Sequence, residues 1–167
     1  MIPVKQTLYY TFLPMFDRLY TIASTENGLA YVSPDDGSLT SLNTFFKDYD
    51  CLEDSSINAT AINQLSDYTE GRRTEFDLKL DLNHGTPFQQ SVWHALLNVP
   101  YGETTNYGAM ANAINNPKAI RAVGGAIGRN PISIIVPCHR IIGKNGKLTG
   151  YSGGLDVKVK LLELESK

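Results

Sequence analysis

Ile132-Ser133-Ile134-Ile135-Val136-Pro137-Cys138-His139-Arg140 is the stretch on which the reading of this chain turns. Five residues rich in β-branched side chains, closed by a proline, predict a short buried strand over 132–136. Proline has no backbone N–H to give to a ladder, so the strand ends or is interrupted at Pro137. Cys138 is then held at a rigid strand end and followed at once by two side chains that can carry positive charge. Cationic neighbours favour a thiolate, the nucleophilic form of cysteine. Neighbouring residues of an extended segment face opposite ways, so a direct Cys138–His139 hydrogen bond is not expected. The plainer readings of Cys138 are a small buried hydrophobe or a disulfide with Cys51, the other cysteine. His84 and His94 are isolated and Cys51 has no nearby partner, so no spacing matches a Cys/His zinc site.

Length and composition set the frame. With 167 residues, 42% of them apolar, the chain can bury one good core or two small ones. Residues 1–11 are neither basic nor followed by an apolar leader core, and no run approaches a membrane span, so a soluble cytoplasmic protein is expected. The net charge of −2 is unevenly spread. Residues 1–85 carry 6 Lys/Arg against 13 Asp/Glu, a net of −7, and residues 86–167 carry 9 against 4, a net of +5. Such asymmetry either holds two subdomains together or marks an acidic partner, DNA above all, for the basic half.

In the acidic half, alternation predicts strands over 4–12, 18–23 and 29–32, an antiparallel meander turning at Glu26-Asn27-Gly28. Residues 38–49 are a weaker helix or turn, and 58–70 a helix stopped by Gly71. Phe76, Leu78, Leu80 and Leu82 alternate with charged residues and predict an edge strand. Asn83-His84-Gly85-Thr86 is the linker. Thr86 and Pro87 then open a helix whose inner face is Phe88, Val92, Trp93, Leu96 and Leu97. After the turn Val99-Pro100-Tyr101-Gly102, Thr104 or Thr105 caps a helix running to Ile114. Asn115-Asn116-Pro117 breaks it, and Pro117 opens another to about Ile127. Two short helices across a tight turn fit a helix-turn-helix, although helical hairpins in general look alike.

The second of these helices is unusually thin, with Ala119, Ala122, Gly124, Gly125 and Ala126. Paired glycines inside a helix cost roughly 1–2 kcal/mol relative to alanine, so some close backbone approach is required there. A major-groove reader would display several base-reading side chains; this helix offers only Arg121 on a slim scaffold. That suits a wedge in the minor groove.

Further stretches complete the pattern: Phe88-Gln89 with Trp93, Val99-Pro100-Tyr101-Gly102-Glu103-Thr104, Tyr107-Gly108, Arg121-Ala122-Val123-Gly124-Gly125-Ala126, Asn130-Pro131, Pro137-Cys138-His139-Arg140 and Tyr151-Ser152-Gly153-Gly154. In this order over residues 88–165 they make the basic half resemble the O6-alkylguanine-DNA alkyltransferases; the acidic half resembles their companion domain only in length and coarse pattern. The resemblance implies an α+β fold: a small N-terminal sheet-plus-helix subdomain, residues 1–84, then a mostly helical, winged-helix-like domain, residues 85–167. The second domain would hold the helix-turn-helix and a short active-site strand. It implies a methylated-DNA–protein-cysteine S-methyltransferase, a monomer acting on double-stranded DNA containing O6-alkylguanine, with no cofactor, and irreversible transfer to Cys138. O4-methylthymine is an expected second substrate.

Site roles follow from the same resemblance. Arg121 would fill the stack vacated by a flipped base, on the DNA-facing surface of Ala122, Gly124 and Gly125, and Tyr107 would crowd the 3′ phosphate. Asn130 would pin the turn before the cysteine. Glu165 would orient His139, which reaches Cys138 through a water. Tyr151 and Ser152 would donate towards the base, with Ile127 a wall of its pocket. Asn106 stands where many relatives have serine, Gly128 and Arg129 receive no catalytic role, and the zinc ligands of some relatives have no cysteine counterpart, so no metal is expected. Two rivals remain. A cysteine hydrolase using His84 or His94 leaves the arginine and the glycine-rich helix unexplained. The other is a winged-helix regulator or a noncatalytic damage binder; relatives of the latter kind carry tryptophan in place of Cys138.

Overall fold

The computed structural model describes residues 5–167, so Val4, the first residue of the earliest expected strand, lies outside them. The chain divides into two compact units, Met1–Asp81 and Leu82–Lys167.

In the first unit the expected meander is β1 (Gln6–Met15), β2 (Arg18–Thr25) and β3 (Gly28–Ser33), all antiparallel. β2 is buried along nearly its whole length, as a central strand covered on both faces must be. On one face Leu8, Ala23, Ala30 and Tyr31 pack with Leu42 and Phe46, which α1 (Thr40–Phe45) brings down onto the sheet. The 58–70 helix is α2 (Ala59–Thr69), burying Ala61, Leu65 and Tyr68.

The fourth strand is not where alternation put it. It is β4 (Tyr49–Glu53), parallel to β1 at the sheet edge, in the order β3-β2-β1-β4. Its outward Leu52 is 55% exposed, which blurs the alternation that would have marked it. Residues 76–82 touch β3 through a single bridge, Leu29 to Leu80. The backbone groups a ladder would need are taken by a side chain: Gln64 donates to the Asp77 carbonyl at 3.0 Å and accepts from the Asp77 N–H at 2.9 Å.

In the second unit α3 (Pro87–Leu96) starts as expected, with a reciprocal capping box between Thr86 and Gln89 at 3.1 and 3.0 Å. Val92, Trp93 and Leu96 are buried, but Leu97 has left the helix and is exposed. Gly85 permits the Trp93 ring to lie against the chain, since a Cβ there would sit 2.4 Å from it. The Trp93 Nε1–H donates to the Ala126 carbonyl at 2.9 Å, tying α3 to the glycine-rich helix.

The helix-turn-helix is α4 (Tyr107–Ala113) and α5 (Ile120–Gly128), which pack on one another. Neither threonine caps α4. Asn106 does, accepting from the Ala109 N–H at 2.9 Å, a role for which asparagine and serine are both well suited. The turn between the helices, with Asn115 at φ 59°, runs past Pro117, and α5 begins three residues later than expected. Two-residue strands β5 (Thr105–Asn106) and β6 (Ile141–Ile142) pair in parallel, and α6 (Leu155–Glu165) closes the unit.

Candidate active site

The run over 132–136 is not a strand. It is a wholly buried coil of turns around the amide of Asn130, and Cys138–Arg140 form a single 3₁₀ turn. Asn130 Oδ1 accepts from the Ile132 N–H at 3.0 Å, while its Nδ2 donates to the Val136 carbonyl at 2.8 Å and to Cys138 Sγ at 3.2 Å. One side chain thus replaces the sheet partner and touches the sulfur. Ile134 adopts φ 74°, an unfavourable conformation for a β-branched residue, and its side chain is almost fully buried. The β-branched content signalled burial, not extension.

Beneath α5 lies a cavity of about 60 Å³, lined by Tyr107, Gly124, Ile127, Gly128, Cys138, Gly150, Tyr151 and Ser152. It joins the expected nucleophile to both expected base-pocket donors and to the expected pocket wall. Tyr107, at the start of α4, hydrogen-bonds Thr149 between hydroxyls at 2.8 Å. Arg121, Ala122 and Gly125 are on the exposed face of α5, away from the cavity's lining, with Lys118 and Arg129 also exposed at its ends. A Cβ on Gly124 would make ordinary contact with the Tyr107 ring at 3.8 Å, and one on Gly125 would meet nothing within 4 Å. The absence of a side chain at Gly125 therefore serves no contact within the fold.

His139 is fully buried, and its Nε2 lies 2.8 Å from Glu165 Oε2. An ionised carboxylate can only accept, so Nε2 carries the hydrogen and Nδ1 is left with its lone pair; Nδ1 is buried without a hydrogen-bond partner among the described residues. Burial holds the imidazole below its ordinary pKa, against the pull of Glu165, so His139 rests neutral. Burial likewise pushes the Cys138 thiol up; hydrogen bonds from Asn130 and Tyr151 and the charge of Lys158 oppose this. The expectation that adjacent cations would favour a resting thiolate is thus overturned. His139 is uncharged, and Arg140 directs its charge elsewhere, to Glu165, through Nε–Oε1 and Nη2–Oε2 contacts of 2.8 Å each.

The partners of Arg140, and the buried Lys158 altogether, escaped the sequence reading. Arg140 also donates Nη1–H to the Val99 carbonyl at 2.6 Å and lies over the Tyr101 ring at 5.7 Å. Lys158, 1% exposed, donates to the Ile141 carbonyl at 2.6 Å and reaches the Thr149 carbonyl at 3.3 Å. A signal existed: Lys158 and Glu165 fall on the α6 face of Val157 and Leu161, where an amphipathic helix keeps apolar residues. Among the described residues no group of three or more His, Cys, Asp and Glu side chains is arranged to hold a metal ion. No helix there is long and apolar enough to cross a membrane.

Residues 87–167 match the family description "6-O-methylguanine DNA methyltransferase, DNA binding domain". The inducible methylated-DNA–protein-cysteine methyltransferase of Bacillus subtilis is 42% identical over 173 aligned positions, covering 98% of this chain and 93% of that protein. A crystal structure of Mycobacterium tuberculosis O6-methylguanine methyltransferase superposes with a TM-score of 0.83 at 44% identity, over 96% of this chain and 93% of that one. A second crystal structure from that organism, determined in complex with DNA, gives 0.83 at 45% identity over 95% and 92%.

Proposed function

The chain belongs to the methylated-DNA–protein-cysteine methyltransferase family, and from that premise we propose that it flips O6-methylguanine out of duplex DNA and takes the methyl group irreversibly onto Cys138, once per molecule. It is a direct-reversal repair enzyme whose alkyl acceptor is a cysteine of its own. O4-methylthymine is a second substrate in this reading, and the protein acts as a cytoplasmic monomer without a cofactor. The observation that supports it best is that Cys138 lines a cavity shared with both helices of the helix-turn-helix and with Tyr151 and Ser152.

The resting protonation states suit the chemistry. The thiol is neutral and so is His139, with the Nδ1 lone pair free to take a proton. Sγ attacks the alkyl carbon as the C–O6 bond breaks, and that electron pair leaves on guanine. The thiol proton passes through a water to His139 Nδ1, and Tyr151 and Ser152 donate towards the base as negative charge develops on it. Asn130 holds the sulfur on line. Arg121, from the exposed face of α5, fills the emptied stack, and Tyr107 exchanges its Thr149 partner for the 3′ phosphate. Bare Ala122 and Gly125 let the groove close on the helix.

Incubation with a duplex carrying a radiolabelled methyl at guanine O6, followed by peptide mass analysis, tests this directly. One label per molecule on Cys138 is expected, and Cys138→Ser should abolish transfer while keeping duplex binding. Label on Cys51, or repeated turnover, would defeat the reading.

A further inference from the structure

Glu165 is the only carboxylate in contact with His139 among the described residues, and it is shared: Oε2 accepts from both His139 Nε2 and Arg140 Nη2, and Oε1 from Arg140 Nε. Arg140 is 7% exposed and anchored at its far end by the Val99 carbonyl and the face of Tyr101, so its fork has little freedom to turn away. We infer that Arg140 is a positioning residue for the proton transfer: by occupying both oxygens of Glu165 it balances that charge and keeps His139 neutral, with Nδ1 as the proton acceptor, until the thiol delivers its proton. This rests on the relay reading given above.

A neutral imidazole beside an unbalanced buried carboxylate gains strongly from picking up a proton from solvent. It would then be useless as a base. With the guanidinium in place, the Glu165–Arg140 pair carries no net charge, and the pull of the carboxylate is opposed by the arginine while burial disfavours the cation. The other ionisable groups facing this cluster are Cys138 on the same turn, Lys158 on α6 and Tyr101 from the turn before the helix-turn-helix. The charges of Arg140 and Lys158 both disfavour a second cation at His139; only Glu165 favours it.

The test is the rate constant of methyl transfer across pH 5.5 to 9 for wild type, Arg140→Met and Arg140→Lys. Each molecule reacts once, so the amplitude counts folded protein and the rate constant reports chemistry separately. Losing the positive charge raises the pH at which His139 becomes neutral, so Arg140→Met should move the rising limb up by about one pH unit. It should slow transfer by up to about tenfold on the acidic part of that limb, by at most about threefold near neutrality, and recover most of the rate by pH 9. Arg140→Lys retains charge and should keep the wild-type midpoint. A purely structural arginine would lower the amplitude of Arg140→Met and leave its midpoint in place, which overturns the inference. Wild-type protein gives an independent answer should the variant not fold: ¹⁵N spectra at pH 7 should show His139 as the neutral Nε2–H tautomer. A cationic ring, or hydrogen on Nδ1, overturns it. Absence of label on Cys138 in the wild-type protein removes the relay reading and this inference together, whereas normal labelling with an unmoved midpoint removes this inference alone.

Discussion

Asn130 concentrates three separate contacts in one amide, so its loss should be felt in both stability and reactivity. Asn130→Ala leaves the Ile132 N–H without its partner in a buried coil and takes one of two donors from the Val136 carbonyl, which still accepts from the Cys138 N–H at 2.8 Å. A buried unsatisfied N–H costs about 1–3 kcal/mol, and a loss of that size in urea denaturation is expected. The same substitution removes a donor that favours the thiolate, so the thiol of Cys138, already raised by burial, should rise further. An iodoacetamide rate–pH profile should therefore shift to higher pH in the variant, and an unshifted profile would show that the 3.2 Å contact has no electrostatic consequence. None of this bonding was legible in the sequence, although the position was. A side chain that satisfies backbone groups two and six residues away has no periodicity to betray it. Arg140 and Glu165 are likewise 25 residues apart, and only the intrusion of charge on the inner face of α6 hinted at a buried partner.

At the level of elements, what could be read depended on how local the determinant was. The start of α3 was legible because Thr86, Pro87 and Gln89 settle it among themselves. The cap of α4 was legible as a place but not as a residue, because three polar side chains in a row could serve and the pairing of β5 with β6 decided which. The strands expected over 76–82 and 132–136 failed for a common reason: Gln64 and Asn130 supply by side chain what a neighbouring strand would have supplied by backbone. α5 carries the sharper test. Nothing within the fold lies within 4 Å of a Cβ at Gly125, so Gly125→Ala should stabilise the protein by about 0.5–1 kcal/mol, the usual gain in a helix interior. If that face lies against DNA, duplex affinity must fall at the same time. A variant with a higher melting temperature and unchanged affinity would remove α5 from the DNA interface.

For the whole molecule, charge is distributed in a way that its total conceals. The unit over 82–167 has 9 Lys/Arg against 4 Asp/Glu, and Lys118, Arg121 and Arg129 stand exposed around α5. If Lys118 and Arg129 meet phosphates while Arg121 enters the stack, duplex affinity should fall with added salt along a log–log slope of about −2, and Arg129→Ala should reduce that slope by about 1. A slope near zero would mean that the basic surface is turned elsewhere. The acidic unit was read correctly as a sheet with helices, and β4 was the part that escaped, since an edge strand with an exposed leucine has no clean inner face.

The Trp93 indole has an optical consequence. It is the chain's single tryptophan, fully buried, and its N–H is held by a carbonyl of α5. Excited at the red edge of its absorption, where the nine tyrosines do not absorb, the protein therefore emits from one site, coupled to the backbone of the helix that would meet DNA. Any event that draws α5 away from α3 must break a 2.9 Å hydrogen bond to the fluorophore, and will report itself as a change in emission without a label being attached.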